Sequence, residues 1–294
     1  MGSVVGSTQQ IESEQKLFIA RQRNKNLLIA QITNDRMKKC IQQVLQKDIE
    51  LQQILKEKIN QQEGFTLALN GSYRGQRENE FIQSGYGELI SDKQDRYFLG
   101  QWKNNLLEGK GCTIYVNDQE YQYYYGQHSK GVAHGKGAIV FNDEAQYQGD
   151  WENGQMTGEG SIYITNSLYY KGQVKDGKMH GQGKLILFSN SMNSRQSIGT
   201  DATIIQEGGT ILEGQFYEDQ MIEGTVKSQK GNYKGQMKDG KMDGKGTFIS
   251  NDETFYDGQF KNNKRHGVGK SKNQGKVQMA QWEDDKLVRV LEIQ

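Results

Sequence analysis

The residues best suited to chemistry are few and periodic. His134, His180 and His266 each stand immediately before a glycine, and only His128 is off that register. A zinc or nucleophile site needs histidine to converge with cysteine or carboxylates at ligand spacing, and no such set accompanies these four. The run Gly240-Lys241-Met242-Asp243-Gly244-Lys245-Gly246-Thr247 has the composition of a phosphate-cradling loop. It lacks that loop's spacing and leads into strand-like sequence instead of a helix. Met156, Met179 and Met242 also recur, each two residues before a glycine. They suit either flexible packing between adjacent turns or a ridge that binds a partner. Since all of these signals recur in step with a longer period, no catalytic residue, metal site or cofactor is assigned.

The longer period is a tandem repeat. Its clearest unit is Tyr147-Gln-Gly149-Asp-Trp151-Glu-Asn-Gly154, followed by Gly158-Glu-Gly160. It returns as Tyr170-Lys-Gly172 with Gly181-Gln-Gly183, as Tyr233-Lys-Gly235 with Gly244-Lys-Gly246, and as Tyr256-Asp-Gly258-Gln-Phe260 with Gly267-Val-Gly269. Earlier copies are Tyr73 with Gly75, Phe98-Leu-Gly100-Gln-Trp102, and Tyr124-Tyr-Gly126; a weaker one is Leu212-Glu-Gly214-Gln-Phe216. A terminal half copy carries Ala280 and Trp282. The steps between first-glycine slots are 25, 26, 23, 23, 42, 21, 23 and 22 residues, so a period near 23 holds except across an inserted stretch, 189–208.

This spacing specifies β-hairpins. Residues i, i+2 and i+4 of a strand share a face, which puts Tyr147, Gly149 and Trp151 on one side and Gly158 with Gly160 on one side of the returning strand. Glycine leaves backbone bare, and an aromatic ring lying across it recovers the stability that glycine costs in a strand. Asn153-Gly154, Asp176-Gly177 and Asp239-Gly240 supply the positive-φ pairs of tight hairpin turns. A single hairpin of this kind is marginal, so the copies must pack on one another.

Residues 1–64 read as a helical segment instead. Met37, Ile41, Val44, Leu51, Leu55 and Ile59 recur at helical spacing, and Gly64 stands as a stop. The stripe either packs on the chain's own sheet or docks on another chain. The domain reading is therefore a helical segment at 1–64, a hairpin array at 65–287 and a tail at 288–294.

Composition narrows the function classes. The 37 basic and 36 acidic residues leave a net charge of +1, so no long-range field draws the chain to nucleic acid. Proline is absent, which leaves glycine to make the turns. Cys40 and Cys112 fall in different segments and do not form a disulfide framework, which suits a reducing, cytoplasmic setting. No apolar run reaches the ~20 residues that cross a bilayer. The sequence after Met1 lacks secretory features, and Gly6 stands where a myristoylation motif has Ser or Thr.

The repeated units resemble MORN repeats, whose pattern runs Tyr-x-Gly-x-Trp-x-x-Gly-x-x-His-Gly-x-Gly. The resemblance spans Tyr73 to Leu287. Departures are Arg77, His128, Val174 and Met237 in the aromatic slot, and Val226 where the sixth copy should have its second glycine. The resemblance implies a mainly β fold: an elongated, single-layer antiparallel sheet of some seventeen strands, roughly 80 Å at ~4.8 Å per strand. It implies a non-enzymatic scaffold for protein–protein interactions in a cytoskeletal assembly, most like radial spoke head components of the ciliary axoneme. Partners would be proteins of a multi-subunit assembly, including other arrays of this kind. Acidic phospholipid is the alternative, with Lys110, Lys136, Lys245 and Lys270 along one edge. The insertion at 189–208, the degraded sixth copy and the striped helix are the places to look for a partner.

Overall fold

A computed structural model of the chain describes residues 35–47, 49–53, 66–68, 71–116, 118–189, 208–273 and 275–293. Of the helical stripe, Leu55 and Ile59 lie outside these residues, as does 190–207 of the insertion. Among the described residues two helices, α1 (Asp35–Lys47) and α2 (Ile49–Gln53), precede nineteen strands of an open antiparallel sheet. The expected class therefore holds.

The first compact unit contains α1, α2 and strands β1 (Thr66–Ala68), β2 (Gly71–Arg77), β3 (Gln83–Ser91), β4 (Arg96–Lys103), β5 (Leu106–Tyr115), β6 (Tyr121–Ser129) and β7 (Val132–Phe141). Each strand pairs antiparallel with the next. Strand β8 (Gln146–Glu152) gives Trp151 and Glu152 to this unit and its earlier residues to the second. The second unit continues with β9 (Gln155–Ile164), β10 (Leu168–Lys175), β11 (Lys178–Leu187), β12 (Thr210–Tyr217), β13 (Gln220–Ser228) and β14 (Gly231–Lys238). It ends with β15 (Lys241–Ser250), β16 (Phe255–Lys261), β17 (Lys264–Asn273), β18 (Lys276–Glu283) and β19 (Lys286–Ile293).

One expectation changes here. In place of a tail from 288, Lys286–Ile293 is a full strand paired with β18, which makes the terminal half copy a complete hairpin. Its returning strand has Val288 and Val290 in the slots where other copies have glycines, so the repeat pattern does not mark it. Cys40 and Cys112, which come from the two different segments, form no disulfide, as expected, and are both buried in one core.

That core lies between α1 and one face of the sheet. Met37, Cys40, Ile41 and Val44 fall at i, i+3, i+4 and i+7, one stripe of the helix, and pack with Leu51 on Tyr97, Leu99, Cys112, Ile114 and Tyr123. Burial of each large aliphatic side chain contributes about 1.5–3 kcal/mol. Of the two roles open to this stripe, the structure fills the first: Met37, Ile41, Val44 and Leu51 are taken up by the chain's own sheet and offer a partner almost no surface. Beneath the helix, Glu88 is fully buried, accepts from Arg74 Nε at 2.6 Å and from the Tyr97 hydroxyl at 2.5 Å. Burial raises the Glu88 pKa, and the Arg74 guanidinium opposes that rise.

Turns follow the Asn/Asp-Gly chemistry. Positive φ occurs in pairs at Asn153/Gly154 (51° and 83°), Asp176/Gly177 (51° and 77°) and Asp239/Gly240 (50° and 71°). Where the second turn residue is Asn or Asp, it also links neighbouring hairpins. The Asn263 amide donates to the Met242 carbonyl at 2.9 Å while Asn263 Oδ1 accepts from the Met242 amide at 2.7 Å. Asp219 does the same with Met179, and Asp285 with Arg265.

Candidate functional site: the tyrosine, glycine and glutamine rows

The first glycine of each hairpin lies directly opposite a glycine on the returning strand: Gly75 and Gly87, Gly100 and Gly111, Gly126 and Gly137 in the first unit. In the second the pairs include Gly172 with Gly183, Gly235 with Gly246, and Gly258 with Gly269. The next hairpin keeps the same register, with Gly160 opposite Gly172 and Gly183 opposite Gly214. Each unit therefore carries a row of glycines across its strands.

Where the copy has a tyrosine, its ring lies over the pair. A Cβ at Gly160 would sit 2.4 Å from Tyr147 Cε2, and one at Gly246 would sit 2.4 Å from the Tyr233 hydroxyl. The hydroxyl then donates to the carbonyl three residues on: Tyr73 to Gln76, Tyr124 to Gln127, Tyr147 to Asp150, Tyr170 to Gln173 and Tyr233 to Gln236, all at 2.7–2.8 Å. Tyr256 reaches Gln259 at 3.1 Å. Phenylalanine cannot do this. At Phe98 the ring instead meets Trp102 edge-on at 6.3 Å, and the would-be Cβ of Gly111 meets backbone and Leu107.

The carbonyls that receive these hydroxyls lie at a bulge, and here a second kind of glycine is needed. Gly135, Gly158, Gly181 and Gly267 have φ near +60° (63°, 62°, 57° and 63°), so they serve backbone conformation, not ring access. The side chain after the first glycine caps the bulge. Gln236 Oε1 accepts from the Lys245 amide at 2.9 Å, Gln173 Oε1 from Gln182 at 3.1 Å, Gln76 Oε1 from Tyr86 at 2.8 Å and Asp150 Oδ2 from Glu159 at 2.9 Å. The repeat consensus treats this slot as variable, yet Gln76, Gln101, Gln127, Gln173, Gln215, Gln236, Gln259 and Gln281 fill it throughout, with Asp150 the exception. That recurrence is the signal sequence reasoning missed.

The sixth copy is also corrected. Gly224 pairs directly with Gly214, so it is the ring-side glycine, and Val226 replaces nothing. The missing glycine is the bulge one, whose place Ile222 takes in a bulge one residue shorter, 44% exposed.

The remaining aromatic slot joins copies. Trp102 meets Tyr73 edge-on at 5.5 Å, Trp151 meets Tyr124 at 5.1 Å, Phe216 meets Tyr170 at 5.4 Å, Phe260 meets Tyr233 at 5.3 Å and Trp282 meets Tyr256 at 5.9 Å. Substituted slots are filled in kind. Arg77 covers the Tyr73 ring at 4.9 Å, and Val174 is buried. Burial raises the phenol pKa values, to about 12 at Tyr170 and Tyr233, so the hydroxyls remain donors.

The chemically suggestive residues resolve accordingly. His180 and His266 lend their carbonyls to the hydroxyls of Tyr170 and Tyr256, at 3.3 and 3.1 Å. His128 is buried against Tyr124 at 5.0 Å, and burial lowers its pKa to about 4. Gly240–Thr247 is a turn entering strand β15. Among the described residues no group of His, Cys, Asp or Glu is arranged to hold a metal ion. No helix among them is long and apolar enough to cross a membrane. Met179 is buried, Met242 packs beside Tyr233 and Phe260, and Met156 Cε would stand 3.1 Å from a Cβ on Gly177. Of the lysines, Lys270 lies opposite Asp257 and Lys245 opposite Gln259.

Compared with protein families, the chain matches the MORN repeat at residues 98–119, 147–167, 170–192, 233–255 and 256–272. A comparison with curated proteins returns no match.

Proposed function

We propose that the chain is a non-catalytic scaffold of a cytoskeletal assembly, the ciliary axoneme, in a place like that of radial spoke head components. The observation that carries this reading is the closure of the recurrent rows. Within each unit the repeated tyrosines close on the paired glycines and the bulge-capping side chains on backbone amides, which leaves partner recognition to the variable outer surface. Five matched MORN segments support a scaffold role in general; the axonemal assignment rests on resemblance.

The test is native crosslinking and affinity purification of the tagged chain from ciliated cells. Recovery of axonemal proteins in stoichiometric amount is expected, and a preparation that returns none overturns the axonemal reading. Flotation with phosphoinositide vesicles at physiological salt addresses the lipid alternative. Salt-sensitive binding there would move the reading to a link between membrane and cytoskeleton.

A further inference from the structure

We propose that strand β19 is a self-association edge, to which a second copy of this chain adds its own β19 antiparallel. Among the described residues β19 pairs only with β18, and all eight of its residues are exposed. Five of these are large aliphatics, Leu287, Val288, Val290, Leu291 and Ile293, at 42–69% exposure, in a chain whose mean hydropathy is −0.86. An exposed edge of this kind, without proline, is a template for strand pairing.

The register shows why the occupant is another β19. Two bulges, at Val288 and Leu291, give the strand a spacing of three. Leu287, Val290 and Ile293 lie opposite Trp282, Ala280 and Gln278, on the face of the tyrosine rings. Lys286, Arg289 and Glu292 lie opposite Glu283, Gln281 and Met279, on the other face. A second copy running antiparallel about Val290 sets Leu287 against the second copy's Ile293, and Val290 against itself, so one face closes with aliphatics. On the other face Arg289 and the second copy's Glu292 come within one position of each other, twice by symmetry. The edge is thus complementary to itself in both apolar pattern and charge, the condition for a closed two-fold dimer. Two such strands bury on the order of 1,000 Å², the lower end for a specific interface, so a reversible association is expected.

Sedimentation velocity on the full chain, from about 1 to about 200 µM, tests this over the range where such an interface titrates. The mass is expected to rise from 33.4 kDa towards twice that value. Val290→Lys should raise the dissociation constant at least about tenfold, as expected for a central contact. Arg289→Glu should weaken association likewise, and the swap Arg289→Glu with Glu292→Arg should restore it. These positions are exposed, and an unchanged thermal midpoint checks that each variant is folded. A wild-type chain that stays monomeric over the whole range overturns the proposal, as does a dimer indifferent to both single substitutions. Failure here would leave the scaffold reading standing, since a monomer can still serve other proteins.

Discussion

The Tyr170 ring lies across Gly183, where a Cβ would fall 2.4 Å from Tyr170 Cε2, and its hydroxyl closes on the Gln173 carbonyl at 2.7 Å. Gly183→Ala forces that ring off the strand and breaks its hydrogen bond, with an expected cost of about 1–3 kcal/mol. Tyr170→Leu should recover part of it, since a side chain without the hydroxyl has no fixed position over the glycine. Urea midpoints of the two single variants and the double variant measure the coupling. Additive effects would mean the ring does not require the glycine.

Replacing the bulge-capping side chain should act locally. Gln236→Ala leaves the Lys245 amide without its 2.9 Å acceptor and is expected to cost about 0.5–1.5 kcal/mol. Gln236→Asp should be close to neutral, because Asp150 makes the same bond at the equivalent place. Hydrogen exchange at the Lys245 amide separates the two, and equal protection in both variants would remove the capping role.

His128 makes the array acid-sensitive. Its pKa is about 4 in the folded chain against 6.5 for an ordinary histidine, because burial disfavours the charged ring. The unfolded chain therefore binds the extra proton between these values, and stability present above pH 6.5 is lost as pH falls towards 4, by on the order of 3 kcal/mol. His128→Phe, which keeps an aromatic ring in the slot, should flatten this window. Thermal midpoints of both chains at pH 7 and pH 4.5 decide; parallel losses would place the sensitivity elsewhere.

Docking of α1 can be followed through its cysteines. Cys40 and Cys112 are 3% and 1% exposed, so both should resist alkylation in the folded chain. Val44→Asp puts an unpaired charge in that core and should release the helix while the hairpins persist. Rapid labelling of both thiols with little change in β-sheet circular dichroism is the expected result. Labelling of Cys40 with Cys112 still protected would show that the sheet buries Cys112 without the helix, and protection of both that the helix stays docked.

Much of the candidate site was legible because its constraints are local. Gly149 and Tyr147 are two residues apart on one strand, and Asn153-Gly154 codes its own turn, so periodicity alone exposed them. Other features depend on pairing register. Gly158 and Gly160 look equivalent in sequence, yet one serves a left-handed φ and the other leaves room for a ring, and only the bulge separates them. The expectation that Val226 stands in a glycine's place fails for the same reason, since Gly224 is the residue opposite Gly214. Strand β19 carries no repeat signature to read, because Val288 and Val290 stand in its glycine slots.

By itself the sequence determined the hairpin unit, its period and its turns, since glycine, tyrosine and Asn-Gly act through neighbours along one chain. Tertiary structure alone decided that each tyrosine closes on its own bulge while the tryptophan or phenylalanine slot joins successive copies. It also decided that the Met37–Leu51 stripe packs on the sheet. An amphipathic helix shows only that one face must be covered; which surface covers it depends on groups brought together by folding.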